Sequence, residues 1–388
     1  MKSLLISVSF LLLTVFSLFS QERSNKMHTI RSDAFGKERT IRVFLPERYF
    51  TDTLTDFSVV YVLDAQSDAF WNMAAGNVGY LVRSYCVLPM IAVGISSDNR
   101  GAEFTPPATE LTKHFEEEVF PLIEQTYRVN SFRALVGHSW GGAFLGHTLF
   151  GGNSELFNAY IGLSPSLGYS KRSILVQADS CLQQGKVFKK YLYCSTGNLG
   201  SLEISATENL DLLDSLMNKY PNKTLKWDLN KLAKTDHWSS VIPALGEGLV
   251  WMSRNYFIDL ESIDGFAKNK NRSIKEQIEQ FYTQQAENFG FVHQSSARYF
   301  RFLGDNYRDS DQYEEAIQIY DYAITIAPED IALNMNIADT YGKMNDSNNE
   351  KKALQKVINL LNAQQSQLDS NFYNNCLNWA KERFKKYE

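Results

Sequence analysis

Residues 137–141 read Gly-His-Ser-Trp-Gly, a G-x-S-x-G pattern that can hold a serine at a sharp turn between a strand and a helix. The apolar run 134–136 precedes this pattern, and small and apolar residues follow it at helical spacing. In such a turn the serine backbone is strained, and its hydroxyl group stands above the end of a sheet. The two glycines leave room for the strand and the helix to approach each other. We therefore predict that Ser139 is a nucleophile.

A nucleophilic serine needs a base that takes up its proton, and His237 is the best placed of the six histidines in the chain. His237 lies in a loop after the last predicted strand, which puts it on the same edge of the sheet as Ser139. It also follows Ser139 in the order nucleophile, acid, histidine that is typical of this motif. The other histidines are assigned elsewhere: His28 and His293 far from that edge, His114 on the charged face of a helix, His147 in packing, and His138 at the variable position of the motif.

An acidic side chain should orient the imidazole ring of His237 and stabilise its charged form. Glu203 is the only carboxylate in the loop 196–203, which follows a predicted strand, and it is our first candidate. Asp211, one helix length further on, is the second candidate. Asp236 directly precedes His237, and neighbouring side chains rarely face each other in the required geometry. A serine–histidine pair that works without an acid is a further alternative.

Two backbone N–H groups should stabilise the negatively charged oxygen that forms when Ser139 attacks a carbonyl group. The N–H of Trp140 opens the predicted helix after the serine, and helix N-termini favour negative charge. The second donor should follow the strand 57–64, where the N–H of Gln66 is the candidate. The sequence has no H-E-x-x-H pattern and no cysteine pair at metal-ligand spacing, so neither a metal nor an organic cofactor is expected.

Strand-like and helix-like segments alternate from residue 40 to residue 257, which predicts an α/β domain with a mostly parallel sheet and helices on both faces. The first predicted strand stops at Pro46, as an edge strand does. In sheets of this kind the chemistry lies outside the C-terminal ends of the strands. Besides the run before Ser139, the predicted strands are 40–46, 57–64, 90–95, 160–164, 191–195 and 226–229, and the predicted helices are 71–88, 109–127, 206–220 and 241–257.

The segment after about Asp264 is charged and helical, and small and aromatic residues in it fall at the offsets of a helix-turn-helix repeat of roughly 34 residues. These residues are Phe300, Leu303, Gly304, Tyr307, Ala316, Tyr320, Ala323 and Pro328. The pattern resembles a tetratricopeptide repeat. A second copy is weaker, because Ala353 arrives three residues late, and an insertion is expected at 345–349. Since repeats stabilise one another by stacking, these copies should pack against flanking helices such as 273–289. They could bind a protein partner, cap the first domain or form a dimer contact.

Residues 1–20 have the features of a secretory signal peptide: Lys2, the apolar run 4–19 and the small residue Ser20 before a polar segment. Cleavage near Ser20 predicts a secreted or periplasmic protein, with an uncleaved anchor as the alternative. We expect a catalytic domain over 27–260 and a helical domain over 273–388.

The cysteine content and the charge place further limits on the protein. Because an exported chain can form disulfides, the four cysteines could pair in three different ways. Buried free thiols are the preferred interpretation. A net charge of −5 over 388 residues gives no basic surface, so nucleic acid is not an expected partner. The cysteines are Cys86, Cys181, Cys194 and Cys376.

Five short motifs follow one another along the first domain, at residues 62–65, 91–95, 100–106, 137–142 and 164–167. Together they resemble the putative-esterase family of α/β hydrolases, which includes enterochelin (siderophore) esterases, feruloyl esterases and esterase D. The resemblance covers about residues 27–260 and implies an α/β-hydrolase fold and serine ester hydrolysis, with Ser139 as nucleophile and His237 as base. The siderophore-esterase branch is the most similar, through Arg100, Glu103, Phe104, Thr105 and Pro106.

The chain departs from the family pattern at Ala65, where glycine is usual, and at Glu103, where aspartate is usual. Because of these two departures, the resemblance does not determine which substrate the protein would use. Arg100 could contact an anionic or catechol-bearing substrate, or it could pair with Glu103 in a structural turn.

These patterns together predict a secreted serine carboxylesterase that forms an acyl-enzyme on a small ester. Siderophore-type, aryl and short-chain esters are the candidate substrates. Two alternatives are kept. One is a non-catalytic hydrolase fold that binds another exported protein through its helical repeats, and the other is an acyltransferase that uses the same acyl-enzyme.

Overall fold

The computed structural model describes residues 23–254, 257–289 and 295–387, and the chain divides into two compact units. The first unit contains residues 23–254 and 287–289, and the second contains residues 257–286 and 295–387. The expected signal peptide, residues 1–20, lies outside the described residues. Within the described ranges, no helix is both long enough and apolar enough to cross a membrane.

The first unit is built on one sheet whose strands are β1 (Asn25–Ser32), β2 (Lys37–Phe44), β3 (Phe57–Leu63), β4 (Met90–Ile95), β5 (Val129–His138), β6 (Ala159–Leu163), β7 (Lys190–Thr196) and β8 (Leu225–Lys231). Their spatial order is β1-β2-β4-β3-β5-β6-β7-β8. The pairings β1–β2 and β2–β4 are antiparallel, and those from β4–β3 to β7–β8 are parallel. The predicted mostly parallel sheet is therefore confirmed.

The prediction that residues 40–46 form an edge strand is wrong. β2 is the second strand of the sheet, because β1 pairs with its outer side. Gly36, with φ 65°, lies in the tight turn between these two strands in a left-handed conformation that favours glycine. Pro46 comes after the end of β2, so its missing N–H group does not interrupt the pairing. β1 is mostly exposed and has few apolar residues, which explains why the hydrophobic pattern does not reveal it.

Helices connect the strands of the first unit and lie at α1 (Glu47–Thr51), α2 (Asp68–Arg83), α3 (Arg100–Glu103), α4 (Thr109–Lys113), α5 (Phe120–Thr126), α6 (Trp140–Phe150), α7 (Tyr169–Gln183), α8 (Ser201–Lys219) and α9 (Val241–Arg254). Every residue of β3, β4, β6 and β7 is buried, which requires cover on both faces of the sheet. This cover leaves the C-terminal ends of the parallel strands as the edge where loops can carry chemistry.

The predicted helix 109–127 is present as α4 and α5, joined by a π-helical stretch, His114–Val119. The prediction that His114 lies on a charged face is wrong, since its side chain is buried. Its ring nitrogen Nδ1 bonds to Glu118 and lies 3.4 Å from Ser32 Oγ. Ser32 is the last residue of β1, and the ring of Phe35, in the turn after this strand, lies 5.4 Å from the His114 ring. The end of β1 and the turn after it therefore contact this histidine.

The second unit is helical, and the end of one of its helices, residues 287–289, is assigned to the first unit. The helices are α10 (Leu260–Lys268), α11 (Ile274–Phe289), α12 (Ala297–Asp309), α13 (Tyr313–Ile326), α14 (Ile331–Lys343), α15 (Ser347–Gln364) and α16 (Ser370–Phe384). α12 and α13 pack closely at Gly304, where a Cβ atom would lie 2.3 Å from the Tyr320 ring. Ile278 and Tyr282 of α11 lie in the same hydrophobic core as Phe300. The repeats therefore pack against a flanking helix, as predicted. The predicted helical-repeat architecture is confirmed.

The expected insertion at 345–349 is wrong. α12 begins at residue 297 and α13 at 313, and α14 begins at 331 and α15 at 347, so both helix pairs have the same spacing. Glu350 stands one repeat length after Ala316, where a small residue is expected. Glu350 is buried, and its carboxylate accepts hydrogen bonds from Arg383 Nε at 3.0 Å and Lys386 Nζ at 2.8 Å. These basic partners allow a buried charge to replace the small side chain.

The four cysteines are free thiols. Cys194 and Cys376 are buried, as predicted, and Cys181 is partly exposed. The prediction of burial is wrong for Cys86, which is exposed just after the C-terminal end of α2.

Candidate active site

Ser139 lies between β5 and α6 with φ 55° and ψ −113°, a conformation that residues with side chains rarely adopt. Its backbone is held on both sides, because its N–H donates to Leu163 O at 3.0 Å and its C=O accepts from Ser166 N–H at 2.9 Å. Gly137 permits the tight crossing, since a Cβ atom there would lie 2.3 Å from Gly141 O. The motif thus forms the strained turn that the sequence predicts, and the packing around it maintains the strain.

The structure brings His237 and Glu203 together, with His237 Nδ1 2.7 Å from Glu203 Oε1. Both side chains are buried, with 9% of His237 and none of Glu203 exposed. An ionised carboxylate only accepts hydrogen bonds, so Nδ1 is the donor, and in the neutral form of the ring Nε2 has the lone pair. His237 is therefore held in the tautomer that a general base requires.

Several donors surround the Glu203 carboxylate. Oε2 accepts hydrogen bonds from Thr196 Oγ1 at 2.6 Å, from Ser164 Oγ at 3.0 Å and from the Gly197 N–H. Burial by itself would raise the pKa of Glu203, but the hydrogen bonds from His237 and from these three groups outweigh it and lower the pKa to about 2. Glu203 is therefore ionised at neutral pH.

The lowered pKa of Glu203 makes a prediction for acid stability. A carboxyl group with a lower pKa in the folded state stabilises the fold above its unfolded pKa, and this contribution is lost as the pH falls towards the folded pKa of about 2. Between pH 5 and pH 3, the free energy of unfolding should therefore fall by about 2 kcal/mol more in the wild type than in Glu203→Gln. Urea unfolding at both pH values measures this difference.

Asp211→Asn is the matched control for that prediction, because it removes an exposed carboxylate from the same helix. This variant keeps Glu203 and its hydrogen-bond donors, so it should still lose more stability between pH 5 and pH 3 than Glu203→Gln does. Equal acid sensitivity of the wild type and Glu203→Gln would contradict the description of Glu203 as an ionised, hydrogen-bonded group.

The other candidate carboxylates have different partners. Asp211 is exposed and forms an ion pair with Lys231. Asp236 accepts hydrogen bonds from the N–H groups of Trp238 at 3.1 Å and Ser239 at 2.8 Å, which shapes the loop that carries His237. Among the described residues, Glu203 is thus the candidate acid that contacts the His237 ring.

Glu203 lies in the first turn of α8 and not in the predicted loop, and the loop that leads into α8 is bonded to the loop that carries His237. Thr235 O accepts hydrogen bonds from Asn198 N–H at 2.9 Å and from Leu199 N–H at 3.0 Å. Gly197 is required at this crossing, because a Cβ atom there would lie 2.4 Å from Thr235 O. The distance between acid and imidazole is therefore set by backbone contacts on both loops.

The two expected oxyanion donors lie at the ends of neighbouring strands. Trp140 is the first residue of α6, and Gln66 is in the exposed turn after β3, which pairs with β5. In the described part of the chain, neither backbone N–H donates a hydrogen bond to a protein group. Both groups are thus free to bind an incoming oxygen, although Gln66 does not line the pocket above Ser139.

The expected alternative in which Arg100 pairs with Glu103 is wrong. Arg100 Nε and Nη2 bind the two carboxylate oxygens of Asp64, with Nη2 2.9 Å from Oδ2. Glu103 is occupied by Arg39 of β2, whose Nη1 lies 3.0 Å from Oε1 and whose Nη2 lies 2.8 Å from Oε2. Arg39 and Glu103 are both nearly buried and form a salt bridge with each other. Arg100 pairs instead with Asp64, in the loop after β3.

His138, treated in the sequence as a variable position, is buried against His237. Its Nε2 lies 3.0 Å from His237 O, and the centroids of the two rings are 4.6 Å apart. Burial, together with a smaller effect of His237, lowers the pKa of His138 to about 4. The neutral ring must then donate its Nε2–H to the carbonyl group. The sequence alone does not distinguish a histidine that packs against His237 and donates to its carbonyl group from any other residue at the variable position of the motif.

A pocket of about 520 Å³ opens above Ser139. Trp140 and Trp238 are exposed at its rim, with 43% and 68% of their surfaces accessible. Within residues 23–254, Ser139 Oγ and His237 make no direct hydrogen bond, although both line this pocket; such contacts often tighten only when substrate is bound. The lining also includes Arg100, Ser164, Pro165, Tyr169, Arg172 and Leu202.

Metal binding was not expected from the sequence. In the described ranges, no group of three His, Cys, Asp or Glu side chains is placed to hold a metal ion.

Sequence comparison identifies two known elements. Residues 32–185 match the putative esterase family, and residues 297–330 and 331–360 match the tetratricopeptide repeat. The resemblance to esterases and the presence of the repeats are therefore confirmed.

Two curated proteins are similar to the first unit. Ferri-bacillibactin esterase BesA from Bacillus subtilis is 27% identical over 174 residues, which cover 37% of this chain and 60% of the relative. Siderophore enterobactin esterase from Emericella nidulans is 29% identical over 175 residues, which cover 39% of this chain and 55% of the relative. The match thus spans little more than half the length of each relative.

Among solved structures, an IroE-like serine hydrolase from Shewanella oneidensis is similar, with a TM-score of 0.67 and 22% sequence identity. The superposition covers 78% of this chain and 100% of that chain. At this identity the comparison establishes a shared hydrolase fold.

Proposed function

We propose that this protein is a serine carboxylic-ester hydrolase that acts through an acyl-enzyme on a small ester. The observation that carries the proposal is the buried hydrogen bond of 2.7 Å between His237 Nδ1 and Glu203 Oε1, together with the pocket that His237 and Ser139 both line. A strained serine, an imidazole in the correct tautomer and an ionised acid are the parts that nucleophilic catalysis by serine requires.

In the proposed reaction, Ser139 Oγ attacks the ester carbonyl while His237 Nε2 accepts the hydroxyl proton. The ionised Glu203 stabilises the imidazolium that forms. The N–H groups of Gln66 and Trp140 bind the developing oxyanion, and His237 then gives its proton to the departing alcohol. Water, deprotonated by the same imidazole, releases the acid from Ser139.

The proposed substrates follow from the pocket and from the named relatives. Trp140, Tyr169 and Trp238 give the pocket an aromatic surface, and Arg172 adds a positive charge. One curated relative is named as a ferri-bacillibactin esterase and the other as a siderophore enterobactin esterase. We therefore include catecholate siderophore esters with aryl and short-chain esters among the candidates.

The proposed organisation is an esterase domain over 27–260 and a helical domain over 273–388. We also propose that the protein is secreted or periplasmic, on the basis of the signal-peptide features of residues 1–20. The tetratricopeptide repeats support a protein partner or self-association through the second unit. A scaffold without catalysis and an acyltransferase are the competing functions.

The proposal is tested by a panel of esters offered to the purified protein. We expect release of the carboxylic acid from p-nitrophenyl acetate, from a methyl hydroxycinnamate or from a catecholate trilactone, and loss of all turnover in Ser139→Ala. Mass spectrometry of the products in the presence of an alcohol separates hydrolysis from acyl transfer. Failure of the protein to cleave any of the three ester classes, together with a stable co-purifying protein, would support the scaffold instead.

A further inference from the structure

We infer that Arg100 is a positioning residue: through Asp64 and the carbonyl group of His138, it fixes the two segments that carry the proposed oxyanion donors. This inference rests on the proposed function, because it concerns the same site. It also assigns Arg100 a role that does not require contact with the substrate.

The two donor segments lie level with each other in the sheet. β3 pairs with β5 in parallel, and Val62 lies opposite Val136. Asp64 follows Val62 by two residues, just past the end of β3, and His138 follows Val136 by two residues. The donors Gln66 and Trp140 follow Asp64 and His138, again by two residues each. A group that joins Asp64 to His138 therefore joins corresponding points of both donor segments.

Arg100 makes this connection with one guanidinium group. Its Nε and Nη2 bind the two oxygens of Asp64, with Nη2 2.9 Å from Oδ2, and Nη2 also donates to His138 O at 3.3 Å. Asp64 has φ 70°, a left-handed conformation that is uncommon for residues other than glycine, although aspartate tolerates it better than most. The bidentate pair with Arg100 constrains this residue.

The Gln66 side chain extends the same network. Its Nε2 donates to Asp64 Oδ1 at 3.0 Å, and its Oε1 accepts from Ser97 N–H at 2.9 Å. Gln66 is therefore held at both ends of its amide, and one of these ends depends on the carboxylate that Arg100 orients. Since Gln66 is exposed, few other contacts can set the direction of its backbone N–H.

The other donor also lies close to Arg100. The guanidinium carbon is 5.7 Å from the centroid of the Trp140 ring, within the range of a cation–π contact. A Cβ atom at Gly101, next to Arg100, would lie 3.4 Å from the same ring. The short helix that begins with Arg100 thus packs against the first residue of α6.

The charge balance argues against a role as an anion receptor. Only 7% of the Asp64 side chain is exposed, and its carboxylate is paired with Arg100 through both oxygens. The pair is neutral as a whole, so Arg100 presents little net positive charge to an anionic substrate in the pocket.

The inference is tested with two acetate esters that differ by one charge, phenyl acetate and 4-acetoxybenzoate. Arg100→Gln and Asp64→Asn should each lower kcat for both esters by about 10- to 100-fold, which is less than the loss of a whole oxyanion donor. KM should stay within about threefold of the wild type, because transition-state stabilisation is what is lost. The double variant should be no worse than the poorer single variant, since both remove one connection.

An increase in KM for 4-acetoxybenzoate in Arg100→Gln, with unchanged kinetics on phenyl acetate, would overturn the inference and make Arg100 a substrate ligand. Arg83→Gln, at an exposed site, is the control and should retain wild-type kinetics. If Arg100→Gln does not fold, Arg100→Lys decides: a lysine retains one charge but loses the bidentate pair, so kcat should fall for both esters, and wild-type kcat in this variant would contradict the inference.

The two failures are distinguishable. If the wild type hydrolyses neither these two esters nor any member of the panel of p-nitrophenyl acetate, methyl hydroxycinnamate and catecholate trilactone, the proposed function is contradicted. If the wild type is active and both Arg100→Gln and Asp64→Asn keep its kcat, the inference about Arg100 fails and the proposed function stands.

Discussion

Replacement of Ser139 by alanine is expected to lower kcat for p-nitrophenyl acetate by about 10⁴- to 10⁶-fold. The substitution removes the oxygen that forms the acyl-enzyme, while the pocket and the free N–H groups remain and supply only a residual rate. KM should change little, because the hydroxyl group contributes more to the transition state than to binding of the ester. Steady-state kinetics on the purified variant measure both constants.

Ser215→Ala is the matched control for this prediction. Ser215 is an exposed serine on α8 whose Oγ donates to Asp211 O, away from the pocket. Its alanine variant should keep kcat within about twofold of the wild type, as substitutions at exposed sites usually do. A Ser139→Ala variant that keeps more than about a tenth of the wild-type kcat would contradict nucleophilic catalysis by this residue.

The second large effect is expected for Glu203→Gln, which should lower kcat by about 10⁴-fold. The amide of glutamine can donate a hydrogen bond to His237 Nδ1, which places the ring proton on Nε2 instead. An imidazole protonated at Nε2 cannot accept the proton of Ser139. The geometry would persist while the base function is lost, and kcat measured between pH 6 and pH 9 shows the effect directly.

Asp211→Asn again provides the control for the Glu203 variant, since Asp211 was the second candidate for the acid. It lies on the same helix and is paired with Lys231 at the surface. We expect its kcat to stay within about twofold of the wild type. Circular dichroism and the unfolding midpoint of each variant separate loss of catalysis from loss of folding. The reverse pattern, with a large loss in Asp211→Asn and none in Glu203→Gln, would contradict the assignment of the acid.

The parts of the site that the sequence predicts are those fixed by local geometry. The turn at Ser139 depends on glycines close to it in the chain, so a short motif contains the information. Glu203 could be chosen because it is the only carboxylate in a loop whose position follows from the alternation of strands and helices. The structure places this carboxylate against His237, as that choice requires.

The parts that the sequence does not predict depend on contacts between distant segments. Glu103 pairs with Arg39 instead of its neighbour Arg100, and this choice depends on which strand lies beside the loop. β1 has too few apolar residues to produce a strand pattern, and so the contacts of His114 with the end of β1 and the turn after it could not be foreseen. The charged and polar side chains at these positions bind partners from distant segments, which can be identified in the folded structure but not in the sequence.

The helical unit gives a similar example. The first repeat is recognisable because Gly304 and its neighbours have the small and aromatic residues that the close helix pair requires. In the second repeat, Glu350 takes the place of a small residue, and its basic partners come from the last helical turns of the chain. A pattern built on residue size therefore suggests a shift of register where none exists.

The most direct test of nucleophilic catalysis is to treat the wild-type protein with a fluorophosphonate and to locate the adduct by peptide mass spectrometry. We predict a single adduct on Ser139, formed more slowly in His237→Ala because the base that activates the hydroxyl group is missing. Hydrolysis of an ester by a protein that carries no adduct on Ser139, or carries it on another residue, would contradict this mechanism.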